Sequence, residues 1–282
     1  MIDAMTAEAL KLRGHRATWL MVLIYPIVFL LFVLVQLVTD MTGTAGGAQA
    51  PTAALWIEQS HLVWGAPLSS GGRFLIAGFA AVVFAGEYGW NTWKLVIPAR
   101  ARWQLLAAKW IATIILLLAA FAAADLLGLL GSVLRPLAGG PAIPAGVSLS
   151  DVAQAHAAAA AHAVLPILYT VVLAGLLAVL TSSILATAGL SVATILLEQL
   201  FPSIAFFAYG YAPALTPALA QLLPFYHVTN LVAWAGGSGA TIPLGANATI
   251  AAPQIVSLAA LLGWTAACGA LTIYRFGRQD LN

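Results

Sequence analysis

Residues 19–38 read WLMVLIYPIVFLLFVLVQLV, with no charged side chain among them. An α-helix needs about 20 predominantly apolar residues to cross the hydrocarbon core of a bilayer, and this run supplies that length. Further apolar runs lie at 74–85, 110–130, about 163–180, about 184–207 with Pro202 near its end, and 255–274. With their flanks, the expected spans are 17–38, 71–86, 110–131, 163–182, 184–207 and 254–274. The composition agrees: 282 residues, 62% apolar and 7% charged, with a mean hydropathy of +0.98. A soluble domain carries about 25% charged residues, so this chain has too few charges to coat a globule. An ordinary soluble enzyme, a disordered protein and a nucleic-acid binder are excluded. The fold expected is an all-α integral membrane protein, a single transmembrane domain over 1–282 with six transmembrane helices. The single cysteine, Cys268, excludes an intrachain disulfide and a cysteine-based metal cluster.

An even number of spans puts both termini on one side, and the distribution of basic residues selects the side. With N-in and C-in topology the inside residues are Lys11, Arg13, Arg16, Lys94, Arg100, Arg102, Lys109, Arg275 and Arg278. Arg73 and Arg135 fall outside, completing the 11 basic residues of the chain. The first run is read as a retained span and not a secretory signal. It is longer than the 7–15 residues of a usual signal core, and Pro51 follows directly on the small residues 48–50.

Between the spans, residues 1–16 predict an amphipathic helix lying along the inner surface. Ile2, Met5, Ala9 and Leu12 recur at helical spacing. Asp3 and Glu8 come early and Lys11, Arg13 and Arg16 late, an order that complements the helix dipole. Residues 87–109 form the long cytoplasmic loop and the densest patch of charge. Pro98 disfavours helical angles at the residue before it, so two short amphipathic pieces are expected, about 88–97 and 100–109. Residues 208–253 hold Pro213, Pro217, Pro224 and Pro243, separated by runs too short to cross. Re-entrant or surface-lying helices on the outer side are expected there, because irregular backbone cannot face lipid.

The chain contains no Gly-x-x-x-x-Gly-Lys-Ser/Thr phosphate loop and no His-Glu-x-x-His zinc motif. Residues 236–239 spell a Gly-x-Ser-Gly string, but within a Gly-rich outer loop and not at the start of a span. His156 and His162 flank an alanine run and point to different helix faces, so a metal site is not expected, nor any catalytic residue. Two carboxylates interrupt apolar runs: Asp125, near the middle of the third, and Glu198, toward the outer end of the fifth. An ionisable group at membrane depth costs about 2.5–3.5 kcal/mol on insertion scales and usually faces a bundle interior or wet cavity. Each could line a substrate path or proton relay, or serve as an interhelical hydrogen-bonding partner; Glu198 could also reach water.

Three features resemble the permease subunit of type-2 ATP-binding cassette (ABC) exporters, in the flavour of the lantibiotic-immunity and multidrug subgroup. Ala7-Glu8-Ala9-Leu10-Lys11-Leu12-Arg13, ahead of Trp19, resembles the family's opening helix, written Glu-x-x-Lys-Leu-Arg. Gly86-Glu87-Tyr88 through Asn91 and Thr92, then Pro98-Ala99-Arg100 and Lys109, resembles the stretch after the second span. Here the sequence reads Pro-Ala-Arg-Ala-Arg, so either Arg100 or Arg102 takes the family's arginine position. The layout of six spans with a long outer segment before the last is also similar.

The resemblance implies a dimer of permeases, identical or paralogous, with two separate ATPase subunits that bind the ATP and magnesium. No cofactor is expected on this chain. The first cytoplasmic loop would be the coupling helix, with Glu87, Tyr88, Asn91, Thr92, Lys94, Pro98, Arg100 and Arg102 at the ATPase contact. Glu87 would either cap that helix or pair with a basic neighbour. Glu8, Lys11 and Arg13 belong to the interfacial helix; Asp125 and Glu198 remain open between pathway lining and interhelical hydrogen bonding. The implied function is export of a hydrophobic or amphipathic peptide, lipid or drug across a cytoplasmic membrane, bacterial by resemblance, with membrane lipid as a further partner and no nucleic acid. The alternative is a stand-alone secondary transporter with Asp125 as proton carrier. That reading predicts inverted repeats and broken spans, and neither stands out.

Overall fold

The computed structural model describes residues 2–43, 50–89, 93, 101–245 and 248–279. Helix α1 covers Ile2–Gly14, α2 Arg16–Met41, α3 Ala53–Ser60 and α4 Ser70–Gly89. They are followed by α5 Arg102–Leu134, α6 Leu149–Thr181, α7 Ile184–Tyr211, α8 Thr216–Leu222, α9 Pro224–Ala235 and α10 Gln254–Arg278. Ile242–Pro243 and Thr249–Ile250 make a two-residue antiparallel ladder. Among the described residues six helices, α2, α4, α5, α6, α7 and α10, are long and apolar enough to cross a membrane. The protein is an all-α membrane protein.

Two of these helices are interior and four are wrapped around them. The most apolar stretches of α4 and α6 are 67% and 72% buried, against 17% to 33% for the others. Leu20, Ile27, Leu31 and Val35 of α2 and Leu196, Leu200 and Phe207 of α7 are exposed. A helix that is apolar on all sides suits lipid on its outer face. Phe79, Phe84, Phe121, Ile167 and Phe276 fill the shared core. Helices α2 and α5 approach closely because Gly131 offers no side chain; a Cβ there would lie 2.6 Å from both Val33 methyl groups. Small residues play this part in membrane helix packing generally. The far end of that pair is closed by a fork in which Arg135 Nε and a terminal nitrogen donate to the Asp40 carboxylate at 2.8 and 3.1 Å.

Helix ends follow local chemistry. Ser148 caps α6, its hydroxyl accepting the Asp151 amide at 3.1 Å. Helices α6 and α7 are joined by Ser182 and Ser183 alone. Ser182 takes φ 53, a left-handed value that lets a helix stop abruptly, and Ser183 caps the next helix. Pro26, Pro166 and Pro202 lie inside helices, where neighbouring helices can compensate for the missing donor.

The helices are longer than the apolar runs that announced them. Helix α6 begins at Leu149, so the alanine run with His156 and His162 is helical. Residues 102–109, expected as part of a separate amphipathic piece, are instead the first turns of α5. Of the segment before the last span, α8 and α9 are short helices pinned by a buried polar chain. Asn230 donates to Ser257 Oγ at 2.7 Å, His227 Nδ1 meets that oxygen at 2.9 Å, and His227 Nε2 lies 2.8 Å from the Gln221 carbonyl.

Candidate functional site

The charge-rich residues flanking the loop after α4 converge on one buried cluster. Glu87, near the end of α4, is 1% exposed, and Lys109, two turns into α5, is 2% exposed. The Lys109 ammonium lies 2.5 Å from Glu87 Oε1 and 2.5 Å from Glu8 Oε1 of α1, and 3.4 Å from the Val83 carbonyl. Lys11 of α1 also pairs with Glu87. Among the described residues, two acids and two bases of opposite sign thus meet in one place. The Trp93 indole ring adds a face 5.4 Å from the Lys109 nitrogen. Spacing explains α1: Glu8 and Lys11, three apart, stand on one side of the helix and both reach the α4–α5 seam.

A second set of contacts ties the loop's two ends to α10. On the near side, Tyr88 Oη donates to Gln279 Oε1 at 2.7 Å, and Gln279 in turn donates to the Val179 carbonyl at 2.6 Å. On the far side, Arg102 donates to the carbonyls of Phe276 and Gln279 at 2.7 Å each, capping the carbonyl end of α10. Trp93 packs between these anchors, its ring tilted 4.4 Å from that of Phe276 and edge-on 6.0 Å from that of Tyr88.

The two intramembrane acids are both partnered. Glu198 does not reach water: it is 3% exposed and paired with Arg73 in the first turn of α4. Arg73 also donates Nε to Thr170 Oγ1 at 3.0 Å and lies 5.8 Å from the Tyr169 ring. Counted from the sequence among the outer-side cations, at the start of the second span, Arg73 is buried inside the bundle. Asp125 lies in the last third of α5. Its Oδ2 is 2.8 Å from His156 Nδ1, and His156 Nε2 is 2.9 Å from Ser60 Oγ. The order Ser60, His156, Asp125 imitates a hydrolase triad. However, the Ser60 hydroxyl gives its one proton to the Ile57 carbonyl at 2.7 Å and is 2% exposed. It is a positioned acceptor for the ring, not a nucleophile facing a substrate.

A family model described as ABC-2 family transporter protein matches residues 5–281. The chain belongs to the ABC-2 transporter family. No curated protein matches it. An ABC-2 permease is the membrane component of its transporter and is not itself catalytic, and this chain is a multi-pass membrane protein of that kind.

Of the residues singled out for ATPase coupling in this ABC-2 permease, Glu87, Tyr88 and Arg102 are placed as above. Asn91, Thr92, Lys94, Pro98 and Arg100 lie outside the described residues. Arg13 is exposed, its carbonyl accepting the Trp19 indole at 2.6 Å. Among the described residues no group of three or more His, Cys, Asp or Glu could hold a metal ion. Sequence reasoning missed the partners: His156 for Asp125, Arg73 for Glu198, and the C-terminal end of α10 for Tyr88 and Arg102. One signal was available, since a lone buried acid requires a nearby base or donor.

Proposed function

We propose that the chain forms the membrane pathway of an ATP-driven exporter, working with a separate ATPase that docks on the loop between α4 and α5. The observation that carries this reading is the buried Glu8–Lys11–Glu87–Lys109 cluster together with the Tyr88 and Arg102 anchors to α10. These contacts grip both ends of the 90–101 stretch, so force applied to it would pass into α1, α4, α5 and α10 together. A chain with no phosphate loop of its own needs such an external motor, and ATP and magnesium would sit on the ATPase. A second permease copy or paralogue completes the pathway. The termini and this loop face the cytoplasm, following the basic residues. The cargo is hydrophobic or amphipathic, and the membrane is the cytoplasmic one. In this arrangement Glu87 acts through Lys109 and Lys11 as a positioning residue rather than as a direct ATPase contact. The stand-alone, proton-coupled alternative rests on Asp125, whose carboxylate is engaged by His156.

Affinity purification of the full chain from its native membrane, followed by mass spectrometry, tests the pairing. An ATPase subunit in stoichiometric amount is expected with the unaltered chain and diminished with Arg100→Glu/Arg102→Glu. Absence of any ATPase under all solubilisation conditions would move the secondary-transporter reading ahead.

A further inference from the structure

Helix α1 has a second working face. Glu8 and Lys11 point to the α4–α5 seam, while Met5, Ala9 and Leu12 roof a cavity of about 430 Å³ between α1, α2 and α5. Its floor is formed by small and branched apolar residues, among them Ala112, Leu116 and Ala119. A void of this size with an apolar lining offers water too few hydrogen-bonding partners to hold it there. It lies where an amphipathic helix meets two helices long and apolar enough to cross a membrane, so the surrounding solvent is acyl chain. The rim carries the opposite chemistry. Arg13 lines the cavity and is exposed, and Arg16 lies three residues further along the chain and is exposed too. Among the described residues neither has an ion-pair partner, whereas Lys11 and Lys109 are matched by Glu8 and Glu87. The uncompensated charge at this mouth is therefore positive. A guanidinium presents a planar fork that suits phosphate oxygens.

We propose that this cavity is a specific site for an anionic phospholipid, with one acyl chain lying under α1 and the phosphate held by Arg13 and Arg16. The occupant fixes α1 against α2 and α5. The same helix supplies Glu8 and Lys11 to the buried cluster, so lipid occupancy tightens the grip on the following loop. The lipid site itself needs no ATPase and is tested without one.

The test uses the purified full chain in phosphatidylcholine nanodiscs, doped with a phosphatidylglycerol that carries a photoreactive diazirine in one acyl chain. Irradiation and peptide mapping are expected to place the label within residues 5–22 or 112–119. Unlabelled phosphatidylglycerol is expected to compete at least tenfold better than phosphatidylcholine. Each arginine near a surface contributes about fivefold in affinity for anionic lipid. R13Q and R16Q together should therefore erase most of that preference, while melting in phosphatidylcholine nanodiscs without anionic lipid stays unchanged. A112W, which fills the floor, should remove the label for either lipid. Labelling at other helices, or equal competition by the two lipids on the unaltered chain, would overturn the proposal. So would a disulfide between two copies of A112C on a C268S background, which would show that a second chain fills the cavity.

Discussion

Removing Lys109 is the sharpest perturbation of the cluster. Its ammonium is 2.5 Å from two carboxylates, and its side chain and that of Glu87 are 3% and 1% exposed. Lys109→Met removes the buried base beside Glu87, while the Lys11 contact is 37% exposed on the lysine side. Breaking a buried pair by removing one partner costs about 3–5 kcal/mol, because the other charge stays out of water. Glu87→Gln should fall at the low end, about 3 kcal/mol, since the amide oxygen still accepts from Lys109. Lys11→Met removes only a half-exposed contact and should cost about 0–1 kcal/mol. The double variant Lys109→Met/Glu87→Gln replaces both charges with neutral groups of similar volume. It should be less destabilised than the sum of the singles by about 2 kcal/mol or more. Equilibrium unfolding of the purified variants in detergent measures all four. Additive single effects, or a Lys109→Met cost no larger than that of Lys11→Met, would refute the reasoning.

Three further outcomes concern the Lys11 amine and the two partnered acids inside the bundle. Burial first, and then the neighbouring Lys109 charge, pull the Lys11 amine down to about 8 from its ordinary 10.5. The unfolded chain then binds more protons between those values, so this group makes stability rise with pH across that window. Its rate of modification by an amine-directed reagent should reach half-maximum near pH 8 and shift upward in Lys109→Met; an unshifted midpoint near 10.5 would count against the cluster. For the pair inside the bundle, Arg73→Leu and Glu198→Leu should each cost about 3–5 kcal/mol, and the double variant far less than their sum. Resistance to proteolysis in membranes would report it. Asp125→Leu and His156→Leu should each cost about 1–3 kcal/mol and be non-additive, as expected for a shared hydrogen bond. Loss of transport by Asp125→Leu at unchanged stability would assign Asp125 to a wet path instead.

Spans were legible because the solvent is written into composition. Residues 19–38 or 255–274 need no tertiary information to be read as apolar helices of crossing length. Helix ends were less legible, because polar residues can continue a helix while interrupting its apolar run; Ser150, Asp151, Gln154, His156 and His162 hid the turns of α6 before residue 163 for that reason. Glu8, Lys11, Glu87 and Lys109 could be picked out as scarce charges, yet nothing in their spacing shows that they meet. Residues 8 and 109 are brought together by α1 folding back on α5, a packing event. Arg73 was counted on the outer side and Glu198 was left open between pathway, helix partner and water, because each was judged alone. A buried pair costs far less than either member separately, and only the packing of α4 against α7 pairs them. Tyr88 and Arg102 were singled out by family likeness, while their partner, the C-terminal turn of α10, is separated from them by most of the chain.

In the proposed transporter, the loop after α4 contacts a separate ATPase. Site-directed cross-linking in native membranes addresses it directly, and Cys268, the chain's single cysteine, can be replaced by serine to give a clean background. A bifunctional thiol–photoreactive reagent attached at Thr92→Cys should capture the ATPase subunit, whereas the same reagent at Ser238→Cys, on the turn after α9, should not. Capture of the ATPase from Ser238→Cys and none from Thr92→Cys would contradict the account.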